Sequence, residues 1–106
     1  MRAAKILYKG EFAGILTQND NESFSFVYEK DWLENPQKPS ISLTLPKSQK
    51  EFYSETLMPF FYHLLPEGIN KRIVCQTYKI DESDDFGILL HTAKTDTIGA
   101  ITLERI

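Results

Sequence analysis

Apolar and polar positions alternate through the first third of the chain. Ile6 and Tyr8, then Phe12 and Ile15, flank the short polar turn Lys9-Gly10-Glu11, so two strands can pair there as a hairpin. Five polar residues, Gln18-Asn19-Asp20-Asn21-Glu22, form a second turn, and beyond it Phe24, Phe26 and Tyr28 alternate with Ser23, Ser25 and Val27. A period of two predicts a strand with an aromatic face. Asp31-Trp32-Leu33-Glu34 fits a single helical turn, stopped by Pro36 and Pro39. Alternation returns in Ser40-Ile41-Ser42-Leu43-Thr44-Leu45 and predicts a fourth strand ending at Pro46.

The period then changes. After polar Lys47–Glu51, the residues Leu57, Phe60, Phe61, Leu64 and Leu65 have helical spacing, with Ser54 or Thr56 as cap and Pro59 tolerated in the first turn if Thr56 is the cap. Pro66-Glu67-Gly68 breaks this helix, and Ile69, Ile73, Val74 and Tyr78 predict a second amphipathic segment. Ser83-Asp84-Asp85 is a helix start, because acids in the first turn favour the positive end of the dipole, and that helix carries Phe86, Leu89, Leu90 and Ala93. Ile98–Leu103 reads as a closing strand with Gly99 at a bulge or close contact. The expected fold is a small α+β domain over residues 1–106, with a mostly antiparallel sheet of about five strands and about three short helices.

Composition narrows the function classes. The chain has 106 residues, 42% hydrophobic, and a formal net charge of -3. It is long enough for one core but too short for a complete protein kinase or a barrel enzyme. Its basic residues are scattered among acids, which disfavours direct nucleic-acid binding. No apolar run suits a signal peptide or a membrane span, so a cytoplasmic location is expected, and the lone Cys75 agrees with a reducing compartment.

Candidate chemistry is sparse. Asp85-Phe86-Gly87 matches the magnesium-holding triplet of protein kinases, but the chain has no catalytic loop, no lysine strand and no glycine-rich loop to go with it. It reads better as a helix cap with one core Phe. His63, His91 and Cys75 lack metal spacing, and no Ser or Cys sits in a nucleophile elbow, so no catalytic, metal or cofactor residue is assigned. Contact residues are the better candidates. Pro66, Glu67, Gly68, Ile69 and Asn70 form an inter-helix loop in which an exposed Ile69 would probe a partner's cleft. Trp32 is either a ring covering a sheet edge or an interface anchor. Asp84 and Asp85 form an acidic edge that caps a helix or meets a basic partner.

Taken together, Pro39–Pro46, Phe60–Gly68, Asp84–Leu90 and Gly99–Leu103, with the opening hairpin Tyr8–Leu16 and the Asp31-Trp32-Leu33 turn, resemble the N-terminal subdomain of HipA-type serine/threonine kinase toxins. In that family the subdomain precedes a kinase core that holds the ATP-binding and catalytic residues. Here the chain stops at Ile106, where the core would begin, and so resembles the split arrangement of tripartite Hip toxin–antitoxin systems. The resemblance implies a non-catalytic antitoxin that binds a separate HipA-like kinase, with a helix-turn-helix protein supplying DNA binding. Family members often place a bulky aromatic after Leu-Pro-Glu-Gly, whereas this chain has Ile69. Two rivals stand beside this reading: a structural subunit that stabilises or bridges the kinase without inhibiting it, and an independent small enzyme.

Overall fold

The computed structural model describes residues 1–93 and 100–106. Among the described residues, five strands form one antiparallel sheet in the order β4-β3-β2-β1-β5, accompanied by four helices. The strands are β1 (Arg2–Tyr8), β2 (Glu11–Gln18), β3 (Phe24–Tyr28), β4 (Glu51–Ser54) and β5 (Ile101–Arg105). The helices are α1 (Lys30–Glu34), α2 (Pro59–Tyr62), α3 (Gly68–Tyr78) and α4 (Asp85–Thr92). This is the expected α+β class, with one helix more than expected.

The hairpin and the aromatic strand stand where the alternation put them. Lys9 and Gly10 both take positive φ in the β1–β2 turn, and Leu7 pairs with Phe12 after a bulge beside Ile6 and Gly14. Phe24, Phe26 and Tyr28 are buried on one face of β3. Helical aromatics pack on that face: Phe61 of α2 lies 5.7 Å from Phe26, and Phe86 of α4 meets Phe24 edge-on at 6.0 Å. The other face holds Lys5, Leu7, Ile15, Val27 and Tyr53, none of them buried.

Three expectations need correction. Ser40–Leu45 is not a strand. Leu45 N–H donates to the Ser42 carbonyl at 3.1 Å, Ser42 and Leu45 form an isolated bridge, and Leu43 and Thr44 are the turn between them. The Ser42 hydroxyl accepts from Thr44 N–H and pairs with the Thr44 hydroxyl, so the segment closes on itself instead of joining the sheet. The fourth strand is instead β4, read from sequence as polar linker and possible cap. As an edge strand it buries little: Phe52 and Ser54 are half-buried while Glu51 and Tyr53 are exposed. Finally, α2 is a single turn starting at Pro59, with Met58 rather than Ser54 or Thr56 at its N-cap. Leu64 and Leu65 follow in tighter turns bonded to Phe61 and Tyr62, because Pro66 stops further helix.

At the chain's end, the predicted strand coincides with β5 over Ile101–Leu103 and continues to Arg105; Ile98 and the Gly99 bulge lie outside the described residues. Leu103 N–H donates to the Ala93 carbonyl at 2.7 Å, tying the outer side of β5 to the end of α4.

Candidate partner-binding surface

The stretch from Pro66 to Asn70 is half loop and half helix. Gly68 has φ +58 and opens α3, so Ile69 and Asn70 belong to the helix's first turn and not to a connecting loop. From Glu67 to Asn70 every residue is exposed, and Ile69 is 69% exposed. The rest of α3 explains why. Its Cys75 is buried and Val74 half-buried, Lys71 faces Asp85 of α4 at 3.8 Å, and the Tyr78 ring lies 4.9 Å from His91 of α4. Positions 71, 74, 75 and 78 are one helical face, i, i+3, i+4 and i+7.

That face is not the one read from sequence. Ile69 and Ile73, one turn apart, fall on the opposite side, where Ile73 is 52% exposed. By apolar character alone they group with Val74 and Tyr78. Docking on α4 instead selects the face that carries Cys75 and the Lys71 ammonium, leaving two isoleucines without an intramolecular partner layer.

Asp84 and Asp85 have internal roles. Asp84 is the N-cap of α4, one residue after Ser83, and its Oδ1 accepts from Gly87 N–H at 3.1 Å. Both carboxylate oxygens also accept from Arg2, Oδ1 at 2.6 Å and Oδ2 at 3.0 Å, so the first strand is clamped to the last helix. The Arg2 hydrogen bonds hold the Asp84 carboxyl below the ordinary carboxylate range, against an opposing contribution from burial. Arg2 in turn lies over the Phe86 ring at 5.3 Å and donates from Nε to Gln18 at 2.9 Å. The Asp85-Phe86-Gly87 triplet is thereby accounted for as a first-turn acid, a core Phe and the N–H that Asp84 caps. Asp85 itself lies beside Lys71, and so meets α3.

Trp32 is only 3% exposed. Its Nε1 donates to the Pro39 carbonyl at 2.9 Å, its ring lies 5.5 Å from Tyr8 at the end of β1, and Lys38 Nζ stands 5.4 Å above it. It floors a cleft of about 350 Å³ whose rim includes Glu11, Phe12, Glu29, Asp31 and Lys38. Its partners are shared with neither α3 nor α4, so the structure groups Ile69, Asn70 and Asp85 around the α3–α4 pair and places Trp32 separately. Exposed apolar residues missed from sequence include Tyr53, Tyr62, Ile73 and Leu43. For Leu43 the signal was the pair of flanking hydroxyl residues, which marks a turn as readily as a strand.

Among the described residues no group of three His, Cys, Asp or Glu side chains is placed to hold a metal ion, and no helix is long and apolar enough to cross a membrane.

Comparison with known proteins gives a consistent result. The solved structure of the N-terminal domain of HipA toxin superposes with a TM-score of 0.74 at 33% identity, covering 100% of this chain and 93% of that one. A Haemophilus influenzae protein of uncharacterized role is 36% identical over 104 residues, which is 98% of this chain and 92% of the relative. A Sinorhizobium fredii protein named "Putative kinase Y4mE" is 29% identical over 103 residues, and there this chain spans only 24% of the relative's length. The family model of the HipA N-terminal domain matches residues 4–104, and the chain belongs to that toxin–antitoxin-related family.

Proposed function

We propose that this chain is a non-catalytic antitoxin that binds a HipA-like kinase core through the N-terminal half of α3 and suppresses its phosphorylation activity. The observation that carries this reading is the Ile69/Ile73 pair, exposed on one face of a helix whose other face is fixed to α4. Covering each isoleucine would contribute about 1–2 kcal/mol to association. The relatives support binding in trans. A domain of this kind makes up nearly all of the Haemophilus influenzae protein and about a quarter of the kinase-named Sinorhizobium fredii protein. The same fold unit thus occurs both nearly alone and joined to a much larger chain.

Inhibition needs only that the chain bind an inactive kinase state better than the active one, by filling the cleft or by restraining a mobile loop. Pro66 and Glu67 lead into the contact, Gly68 opens the helix, and Ile69 and Asn70 present it; Asp85 acts from behind, pairing with Lys71 on the opposite face of α3. Asp84 and Trp32 are weaker contributors, since their polar groups are already engaged. A helix-turn-helix protein would supply DNA binding to the assembly.

The test is co-purification with a co-expressed HipA-like kinase core, followed by an autophosphorylation assay. The expected result is a stable complex with kinase activity reduced at least tenfold, and restored by Ile69→Asp. That variant should fold normally, because an acid in the first turn of α3 faces solvent and favours the helix dipole. A complex with undiminished autophosphorylation would replace inhibition by a purely structural role, and absence of binding would refute both.

A further inference from the structure

The segment between α1 and β4 has little regular structure, yet it is pinned at many points. Lys47 Nζ donates to the carbonyls of Asn35 and Lys38, each at 2.6 Å, and Lys47 N–H donates to Ser40 Oγ at 2.9 Å. Trp32 holds the Pro39 carbonyl. The buried Tyr28 hydroxyl donates to the Leu45 carbonyl and accepts from Ile41 N–H at 3.0 Å. Ile41 and Leu45 sit in the core at 6% and 3% exposure, and between them Leu43 is 99% exposed at the tip of the turn.

Leu43 therefore packs on none of the described residues, while the turn that carries it is pinned at its base. Ordering a loop residue costs about 1–2 kcal/mol of backbone entropy, and here that cost is met in the free protein by the bonds at the base. A side chain presented this way meets a socket without further ordering, which is how preorganisation favours binding. We infer that Leu43 is a second docking anchor, which inserts into an apolar pocket of the HipA-like kinase core apart from the α3 contact; this rests on the kinase-binding reading above.

The occupant follows from what can cover a lone leucine. The clefts that the described residues of a second copy would offer are poor sockets. The cleft at Trp32 is rimmed by Glu11, Glu29 and Asp31 and holds the Lys38 ammonium, and those at Asp84, at Cys75 and at the chain termini are bordered by charged side chains. In the Sinorhizobium fredii relative the matched part is 24% of the whole, so a domain of this kind is joined there to a remainder about three times its length, which places a large protein surface beside it in fixed stoichiometry.

The affinity of this chain for the HipA-like kinase core used in the co-purification, measured by titration calorimetry, tests the anchor. Leu43→Asp should bind about tenfold to a hundredfold more weakly, with a melting temperature equal to that of the parent, because the side chain has no folded-state contacts to lose. Parent-like affinity of Leu43→Asp, beside tight binding by the parent, would overturn the anchor and leave the antitoxin reading in place. If the parent itself does not bind, both fall. A Leu43-dependent dimer in sedimentation velocity, with kinase affinity unchanged by the substitution, would assign the residue to self-association and equally overturn the proposal.

Discussion

The Arg2–Asp84 clamp joins the first strand to the last helix, and its contribution to stability can be dissected by three substitutions. Asp84→Asn keeps a side-chain oxygen able to cap α4 but removes the charge; Asp84→Ala removes both; Arg2→Met keeps the apolar stem over Phe86 and removes the guanidinium. The side chains are 31% and 33% exposed, so the pair lies between the exposed and the buried limits. A bidentate, partly shielded pair of this kind is worth about 1–1.5 kcal/mol, and the cap about 1 kcal/mol more. Asp84→Asn should therefore cost about 1–1.5 kcal/mol and Asp84→Ala about 2–2.5 kcal/mol, which in a domain this small lowers the melting temperature by about 4–6 °C and about 8–10 °C. The Arg2→Met/Asp84→Asn double variant should show a coupling of about 1 kcal/mol in urea unfolding. The pH dependence follows with a definite sign. The folded Asp84 carboxyl is held below its unfolded value, so the unfolded chain binds the proton first as pH falls. The clamp's contribution is present above about pH 4 and is lost as pH drops through the folded value. Asp81, also shifted downward by its Ser83 hydrogen bonds, leaves a residual acid slope in every variant. Additive single effects, or an acid limb of Asp84→Asn superimposable on the parent's, would refute this account.

Two further stability predictions concern the core. Tyr28→Phe removes a hydroxyl that serves Ile41 N–H and the Leu45 carbonyl, and leaving both buried groups unpaired should cost about 2–4 kcal/mol, read as a lower urea midpoint at unchanged m-value; a loss under about 0.5 kcal/mol would show that water replaces it. Gly14→Ala would set a methyl 2.5 Å from the Val27 carbonyl oxygen and 2.7 Å from the Phe26 ring. The β2–β3 pair would have to spread, at about 2–3 kcal/mol, and a parent-like midpoint would mean that the strands shift freely.

Much of the fold is legible in the sequence where one local pattern has one physical outcome. The aromatic alternation of β3, the Lys9-Gly10 turn, the proline stops at Pro36 and Pro66 and the helix start at Pro59 act within a few residues of chain. The acidic start of α4 was equally legible, off by one residue in its cap. The partner surface was legible only in part. Exposure of Ile69 could be framed as a condition, but the loop around it proved to be the first turn of a helix, and the acidic edge had Asp84 committed to an arginine 82 positions away.

The sequence by itself determined the class of fold, the aromatic core strand and the family resemblance, because these depend on periodicity and on residue order that any local folding must respect. Tertiary structure decided whether Ile41, Leu43 and Leu45 make a strand, which face of α3 is outward, and whether Asp84 is free. A strand exists only if another strand accepts its backbone bonds, and β3 takes Glu51–Ser54 instead. A helix face is inward only relative to what it docks on, and α4 takes the face with Cys75. Both choices are made by groups distant in sequence, which no local pattern contains.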